Sequence, residues 1–181
     1  MKDLYIIGLG GFGREVAWCV ERINDVTPTW NLKGFIDDNE TKWETKEDGY
    51  IVLGDCEYLK QQENAYAVCA VGNAKVRKQI IEKLSNSGVQ FATIVDPSVI
   101  LSKRVSIGEG TIICAGTIAT VDISIGKHVI INLDCTLGHD DVIGNYVTIY
   151  PSVNVSGNVI VGECCELGTG MQIIPRTWVH S

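Results

Sequence analysis

Aliphatic residues recur at every sixth position through the second half of the chain. From Val95 to Ile173, every sixth residue is Val, Leu, Ile or Ala, and no insertion interrupts the register. The fifth position of each hexad is also apolar or small, with a single break at Asp141. Glycine recurs at the second position, where a positive φ or a close approach of two backbones would require it.

A period of six matches neither an α-helix nor an ordinary amphipathic strand. It predicts a parallel β-helix in which each hexad supplies one short strand and one turn, with its first residue pointing inward. A single hexad cannot bury its aliphatic residue, so only the stacked array is expected to be stable. A sandwich of β-hairpins is the alternative, but such hairpins rarely keep one phase over so many repeats.

The first half of the chain shows strands alternating with helices. The strands are expected at residues 2–7, 32–36, 51–53 and 65–71, and the helices at 14–23, 56–61 and 75–85. This alternation predicts a small, Rossmann-like parallel α/β domain over residues 1–94. The β-helix domain then occupies residues 95–181.

A glycine-rich turn follows the first expected strand. Gly8, Gly10 and Gly13 give the spacing G-x-G-x-x-G before a helix, as in dinucleotide-binding folds. Backbone N–H groups at a helix N-terminus hold phosphate. NAD binding would need a second mononucleotide-binding half, so a nucleotide diphosphate without nicotinamide is the preferred interpretation. A tight turn without a ligand remains open.

Composition narrows the class of protein. The chain has 181 residues and a net charge of −7, which argues against nucleic acid or an anionic membrane as a partner. Neither a signal peptide nor a stretch long enough to span a membrane is evident. The seven cysteines have no CxxC spacing. We therefore expect a reduced, cytoplasmic protein.

One of the three histidines lies in an unusual position. His139 is followed by two carboxylates, Asp140 and Asp141, in the hexad where the inward series is broken. Histidine suits a general base because its ordinary pKa is about 6.5, and an adjacent carboxylate can fix its tautomer. A solvated histidine at a polar corner is the alternative. His128 is expected at the surface, and His180 lies near the end of the chain.

Four motifs occur in a fixed order: GLGGFGREV, FIDD, AVGNAKVR and the hexapeptide array. In this combination the chain resembles the hexapeptide-repeat acyltransferases over essentially its whole length. It is most similar to the sugar O-acyltransferases of the sialic-acid type and to the N-acetyltransferases of the bacillosamine pathway. The resemblance implies a left-handed β-helix, acetyl-CoA as co-substrate, a nucleotide-sugar substrate and a homotrimer.

The resemblance also implies roles for particular residues. The family pattern N-x(6)-H-[DE] matches Asn132, His139 and Asp140, which makes His139 the expected base and Asp140 the residue that orients it. The residues expected at the nucleotide-sugar are Gly10, Gly11, Phe12, Gly13, Asp37, Asp38, Gly72, Asn73 and Arg77. The residues expected at the coenzyme are Gly157, Thr148 and Thr169. Thr148 stands where the family often has a second histidine.

No metal is expected, because a β-helix enzyme of the carbonic-anhydrase kind needs three histidines and the array holds only His128 and His139. The predicted function is acetyl-CoA-dependent N-acetylation of a UDP-linked amino sugar for surface glycan synthesis. O-acetylation of a sugar or sialic acid, and a non-catalytic nucleotide-sugar-binding trimer, remain alternatives. After Pro175 the hexad pattern is expected to end, whereas the family usually continues for one or two further coils. The expectation is therefore that either the chain is truncated or its coenzyme site is incomplete.

Overall fold

The computed structural model describes residues 1–180, which divide into two compact units. The first unit comprises residues 1–72 and 76–92, and the second comprises residues 73–75 and 93 onward. Residues 73–75, at the start of a helix, group with the second unit, and the rest of that unit begins at Thr93.

The first unit is built on a six-stranded, mostly parallel sheet. Its strands are β1 (Lys2–Ile7), β2 (Trp30–Ile36), β3 (Lys46–Glu47), β4 (Tyr50–Gly54), β5 (Tyr66–Cys69) and β6 (Gln90–Phe91). Its helices are α1 (Gly11–Val26), a 3₁₀ turn (Glu40–Lys42), α2 (Cys56–Lys60) and α3 (Ala74–Leu84). The sheet order is β3-β4-β2-β1-β5-β6, and only β3 runs antiparallel to its neighbour.

The four strands and three helices expected from the hydrophobic pattern are present, whereas β3 and β6 were not predicted. The inner strand β1 ends in four buried residues, Leu4 to Ile7, because both faces of a central parallel strand are covered. One detail of the pattern is wrong: Val76 was expected on the buried face of α3 and is instead 45% exposed.

The second unit is a parallel β-helix of five coils. Its fifteen short strands are β7 (Ile94–Val95), β8 (Ile100–Leu101), β9 (Val105–Ile107), β10 (Ile112–Ile113), β11 (Ile118–Ala119), β12 (Ile123–Ile125), β13 (Ile130–Ile131), β14 (Thr136–Leu137), β15 (Val142–Ile143), β16 (Thr148–Ile149), β17 (Asn154–Val155), β18 (Ile160–Val161), β19 (Glu166–Leu167), β20 (Gln172–Ile173) and β21 (Trp178–Val179). Each strand pairs in parallel with the third strand after it, so one coil takes 18 residues. Three five-stranded sheets form the faces.

The interior is formed by the first and fifth positions of the hexads, as predicted. Ile113, Ile131, Ile149 and Leu167 stack from coil to coil, and each is at most 1% exposed. The expected end of the pattern after Pro175 is wrong. Val179 continues the six-residue series from Ile173, lies in β21 and packs against the same core.

The corners of the β-helix contain the positive φ angles, and these fall at the fourth position of the hexad rather than the second. Twelve successive fourth positions, from Gly110 to Arg176, have φ between 54° and 78°. Most of them are not glycine. Most second-position glycines are instead sites of close approach: a Cβ on Gly138 would lie 2.4 Å from the N of Gly157 in the next coil. The coil spacing therefore requires glycine at Gly138 for its size, whereas a Cβ on Gly168 would meet nothing within 4 Å.

Candidate functional site

The corner between β14 and β15 holds His139 and Asp140. Asp140 occupies the left-handed fourth position with φ of 62°, and its N–H donates to the carbonyl of Val121 in the preceding coil (3.1 Å). Aspartate tolerates this conformation better than most residues. The left-handed turn brings the side chains of two consecutive residues together on the outside of the corner.

His139 and Asp140 form a pair that leaves one imidazole nitrogen available. Nδ1 of His139 lies 2.8 Å from Oδ2 of Asp140. A carboxylate can only accept, so this contact places the proton on Nδ1 and the lone pair on Nε2. Both side chains are more than half exposed, at 65% and 57%. The arrangement can accept a proton from a bound nucleophile.

The ring of His139 rests on the equivalent corner of the next coil. A Cβ built on Gly157 would lie 2.5 Å from Nε2 of His139, which is closer than real Cβ contacts come. The N–H of Asn158 donates to the carbonyl of His139 (2.7 Å). The histidine ring, Gly157 and Asn158 are therefore one contiguous surface.

Beneath this corner lies a buried carboxyl group. Asp141 is fully buried, and its Oδ1 accepts the N–H of Val159 (2.9 Å). Burial raises the pKa of Asp141 to about 6, against the opposing effects of the backbone N–H groups and of nearby His139. Oδ2 is buried and accepts no hydrogen bond in the structure. Asp141, which interrupts the apolar fifth-position series, therefore places a carboxyl group inside the β-helix.

The two threonines expected at the coenzyme lie away from the His139 corner. Thr148 is in β16 and is only 1% exposed. Thr169 is exposed in the turn between β19 and β20, which is a different edge of the β-helix. Of the three residues expected there, Gly157 alone contacts His139. The expected surface position of His128 is wrong: it is 3% exposed and stacks on Tyr146 at 5.4 Å.

The glycine turn of the first unit leads from β1 into α1. Gly10 and Gly11 are exposed at the start of the helix, whose first turn carries no acidic residue. They line a cavity of about 370 Å³ together with Arg14, Asp37 and Lys42. Glu47 also lines this cavity, and its Oε1 lies 3.7 Å from Nη1 of Arg14. The exposed N–H groups at the helix N-terminus and the Lys42 side chain suit a phosphate group.

Phe12 and Gly13 have a different environment from Gly10 and Gly11. Phe12 is half-buried and Gly13 is buried. A Cβ on Gly13 would lie 2.0 Å from the carbonyl oxygen of Gly8, so this glycine allows the helix to pack on the strand. Gly13 is therefore a packing residue of the turn.

The acidic pair at the end of β2 contributes one ordered carboxylate. Asp37 accepts the N–H of Leu9 with Oδ2 and the N–H of Asn39 with Oδ1, both at 3.0 Å. Asp38 is exposed. Both aspartates line a second cavity of about 170 Å³ with Gly8, Cys56 and other largely apolar residues. Asp37 thus fixes the glycine turn relative to β2.

The segment after β5 does not form one site. Arg77 is 1% exposed, and its Nη1 donates to the carbonyls of Val71 (2.5 Å) and Gly72 (3.0 Å). Its guanidinium therefore holds the loop that contains Gly72. Asn73 is exposed and belongs to the second unit, where it lines a cavity of about 400 Å³ with Lys75, Glu166 and His180.

Within residues 1–180, no group of three or more His, Cys, Asp or Glu side chains is arranged to hold a metal ion. No helix in that range is both long enough and apolar enough to cross a membrane.

Comparison with known proteins places this chain among sugar-modifying enzymes. Residues 3–84 match the PglD N-terminal domain. The chain is 29% identical to GDP-perosamine N-acetyltransferase of Escherichia coli O157:H7 over 94% of its length and 78% of that protein. It is 37% identical to UDP-N-acetylbacillosamine N-acetyltransferase of Bacillus subtilis over 64% of its length and 52% of that protein.

The fold has a close structural counterpart. The acetyltransferase domain of PglB from Neisseria gonorrhoeae superposes with a TM-score of 0.88 at 26% identity, covering 98% of this chain and 85% of that one. Together with the exposed histidine–aspartate pair, an α/β unit followed by a left-handed β-helix defines a β-helical acyltransferase. More particularly, residues 3–84 match the PglD N-terminal domain family, and the chain as a whole is similar to the nucleotide-sugar N-acetyltransferases of the perosamine and bacillosamine type.

Proposed function

We propose that this protein transfers the acetyl group of acetyl-CoA to the amino group of a nucleotide-diphosphate-linked amino sugar. The observation that carries the proposal is the His139–Asp140 pair, exposed at a corner of the β-helix with Nε2 available. Both relatives described above are named as N-acetyltransferases of such sugars. A UDP-linked sugar destined for a surface glycan is the specific substrate we propose.

In the proposed reaction, His139 acts as the general base. The sugar amine attacks the thioester carbonyl, and Nε2 of His139 takes the proton that the amine loses. Asp140 accepts the Nδ1–H, which keeps the lone pair on Nε2 and stabilises the imidazolium that forms. Collapse of the tetrahedral intermediate breaks the C–S bond, and the coenzyme A thiolate leaves and takes up a proton.

The backbone beside His139 supplies the proposed second element of the site. An oxyanion develops on the thioester carbonyl and needs a preorganised N–H donor. Gly157 lies against the histidine ring and carries no side chain that would block an approach to its N–H. We propose that this N–H faces the acetyl carbonyl, and that Thr148 and Thr169 do not take part in the same corner.

The nucleotide end of the substrate is proposed to lie at the glycine turn. The N–H groups of Gly10 and Gly11 and the side chain of Lys42 suit the diphosphate. Arg14 would join them by exchanging its ion pair with Glu47 for the phosphate. Asp37 and Asp38 line the neighbouring apolar cavity, which is suited to the nucleoside. One relative is named for a GDP-sugar and the other for a UDP-sugar, so both nucleotides belong in the test.

The proposal includes a cytoplasmic homotrimer. In the sheet of β9, β12, β15, β18 and β21, an exposed apolar row continues through Val142, Ile160 and Trp178, which are 45%, 43% and 64% exposed. Ile100 and Ile118 form an exposed pair on a second sheet. Exposed apolar rows of this kind favour association with further copies. Sedimentation would give the assembly state.

The experiment is acetyl transfer followed by mass spectrometry. UDP- and GDP-linked 4-amino sugars are incubated with acetyl-CoA, and the gain of one acetyl group is measured. His139→Ala should lower kcat by about a hundredfold to ten-thousandfold with nucleotide-sugar affinity retained. His180→Ala is the matched control, since this histidine is also exposed. Wild-type turnover in His139→Ala would overturn the assignment of the base.

The same assay separates the alternatives. Acetylation of a sugar hydroxyl but not of the amine would identify an O-acetyltransferase. Nucleotide-sugar binding without coenzyme A binding, measured by calorimetry, would instead identify a non-catalytic binding protein.

A further inference from the structure

Thr111, at a fifth hexad position, makes a pair of hydrogen bonds to the next coil. Oγ1 of Thr111 accepts the N–H of Val129, eighteen residues on (3.1 Å), and donates to the carbonyl of Gly126, fifteen residues on (2.9 Å). Thr117 donates to the carbonyl of Asn132 (3.0 Å), again fifteen residues on. A polar side chain at this position therefore ties its own corner to the corner of the next coil.

Asp141 makes half of this pair. Its Oδ1 accepts the N–H of Val159, eighteen residues on (2.9 Å), as Thr111 does from Val129. The carbonyl fifteen residues on belongs to Ser156, which is an acceptor. The second oxygen of Asp141, Oδ2, is buried and accepts no hydrogen bond. Two acceptors cannot bond to each other, so a proton on Oδ2 would complete the pair.

The two hydrogen bonds would hold residues 156–159, which form the surface against which the His139 ring lies. Ser156 and Val159 flank Gly157 and Asn158, and the ring of His139 lies against Gly157. The N–H of Asn158 also donates to the carbonyl of His139. A change in the path of residues 156–159 would therefore move the surface on which the imidazole rests.

We propose that Asp141, in its protonated form, is a positioning residue that ties residues 156–159 to the His139 corner and so fixes the imidazole of the catalytic histidine. It accepts from the N–H of Val159 and donates to the carbonyl of Ser156. The inference rests on the proposed function, because it gives His139 its catalytic role.

The surroundings of Asp141 raise the pKa of its carboxyl, so that the protonated form is present near pH 6. Its partners at the fifth position in the coils before and after are Ile123 and Val159, which are buried and apolar. Two titratable groups act on it: Asp140 raises the pKa of its carboxyl, and His139 lowers it. Burial outweighs the opposing effect of the backbone N–H groups of Val159 and Gly138 and brings the pKa of Asp141 to about 6.

The test uses two variants that differ only in hydrogen bonding. Asp141→Thr copies the residue that makes both bonds at Thr111, whereas Asp141→Val has a similar shape and makes neither. With acetyl transfer as the readout, Asp141→Val should lower kcat by about tenfold or more, with both KM values unchanged. Asp141→Thr should keep kcat within about threefold of wild type near pH 6.

A pH profile adds a readout that a purely structural residue would not move. As pH rises from about 6 to about 8, Asp141 ionises and loses its donor, whereas threonine does not. The ratio of kcat in Asp141→Thr to kcat in wild type should therefore rise over this range. A ratio independent of pH would overturn the role of the proton.

Thr111→Val is the matched control. It removes the same two hydrogen bonds at another edge of the β-helix, so it should lower the thermal midpoint and leave kcat within about twofold of wild type. Wild-type kcat in Asp141→Val, or an Asp141→Thr as impaired as Asp141→Val, would overturn the proposal.

Hydrogen–deuterium exchange of the peptide covering residues 154–161 tests the tie without any substrate. Exchange should be faster in Asp141→Val than in wild type and unchanged in Asp141→Thr. This result remains decisive if no acetyl transfer is found, so a failure of the proposed function and a failure of this inference give different results. Equal exchange in all three proteins would overturn the tie.

Discussion

The imidazole of His139 lies directly over the Cα of Gly157, eighteen residues later and one coil further along. A Cβ at residue 157 would come within 2.7 Å of three ring atoms, including Nε2 at 2.5 Å. Gly157 therefore acts on the histidine by lacking a side chain, and its N–H can serve the reaction at the same time. These two roles can be separated by mutation.

Gly157→Ala should displace the histidine ring while leaving the backbone N–H in place. We expect a fall in kcat of about tenfold or more, because a displacement of this size misplaces the base. The φ of Gly157 is not in the left-handed region, so the fold should be retained, as circular dichroism would show.

Gly168→Ala is the control for Gly157→Ala, since a Cβ there meets nothing within 4 Å. Its kcat should equal that of wild type. If Gly157→Ala also kept wild-type kcat, the contact with His139 would have no catalytic consequence, and only the N–H of Gly157 could still contribute.

Asp140→Asn should lower kcat by about tenfold to a hundredfold. Asparagine tolerates the left-handed φ of this position, so the corner should keep its shape while the charge that stabilises the imidazolium is lost. Acetyl transfer at saturating substrate is the measurement.

The control for Asp140 is Asp122→Asn. Asp122 occupies the same corner position one coil earlier, with φ of 59°, and pairs with exposed Arg104 at 3.4 Å. This variant should be fully active. Equal losses in the two variants would mean that both act through the fold of the corner.

The pH dependence of stability should reveal Asp141. Its folded-state pKa of about 6 lies above the ordinary value for aspartate. Between those two values the folded protein binds more protons than the unfolded chain, so the free energy of unfolding falls as pH rises from about 4 to about 6. The total loss is about 3 kcal/mol, and above this range it no longer changes.

The measurement is the difference in unfolding free energy between wild type and Asp141→Asn at fixed protein concentration. Asparagine does not titrate, so wild type should lose stability relative to the variant through this pH range. A difference that stays constant from about pH 4 to about pH 8 would show that the carboxyl has an ordinary pKa in the folded protein.

Arg77→Ala should lower the stability of the protein, and any loss of nucleotide-sugar binding should be secondary to that. The buried guanidinium holds the carbonyls of Val71 and Gly72, and its loss should lower the free energy of unfolding by about 2–4 kcal/mol. Gln79→Ala, at an exposed neighbouring position on α3, should have no effect. Unchanged stability with lost nucleotide-sugar affinity would instead make Arg77 a ligand contact.

The sequence predicted the interior of the β-helix because the period determines it. Once the register was set from Val95, the inward direction of the first and fifth positions followed, including that of Asp141. Met171 in the last coil is the exception, at 42% exposed. The predicted end of the array was wrong because Arg176, Thr177 and Trp178 resemble no earlier turn. Val179 nevertheless continues the six-residue series on the other side of that turn.

The corners were predicted less well because most of their left-handed positions are not occupied by glycine, so glycine spacing does not mark them. Asp, His, Tyr, Ser, Asn, Cys and Arg all occupy left-handed fourth positions. His128 was expected in solvent, but Gly110 one coil earlier leaves space for its ring and Tyr146 one coil later stacks on it. The spacing of eighteen between these three residues was the signal that could have predicted its burial.

In the first unit, the motifs predicted elements better than roles. The glycine turn and Asp37 are adjacent, as their positions after β1 and β2 imply. Gly13 and Arg77 belong to the packing and the loop support, because motif spacing does not say which member of a motif faces the ligand.

The left-handed corners also bear on how such a protein can change over time. Fourth-position residues from His128 to Arg176 donate their N–H to a carbonyl nineteen residues earlier, so neighbouring coils rather than the local side chain hold the backbone. The amino acid at a corner can then be replaced with little effect on the path of the chain. A β-helix of this kind can therefore gain, lose or relocate a reactive side chain by single substitutions. The protein could come to act on a different acceptor molecule without a change of fold.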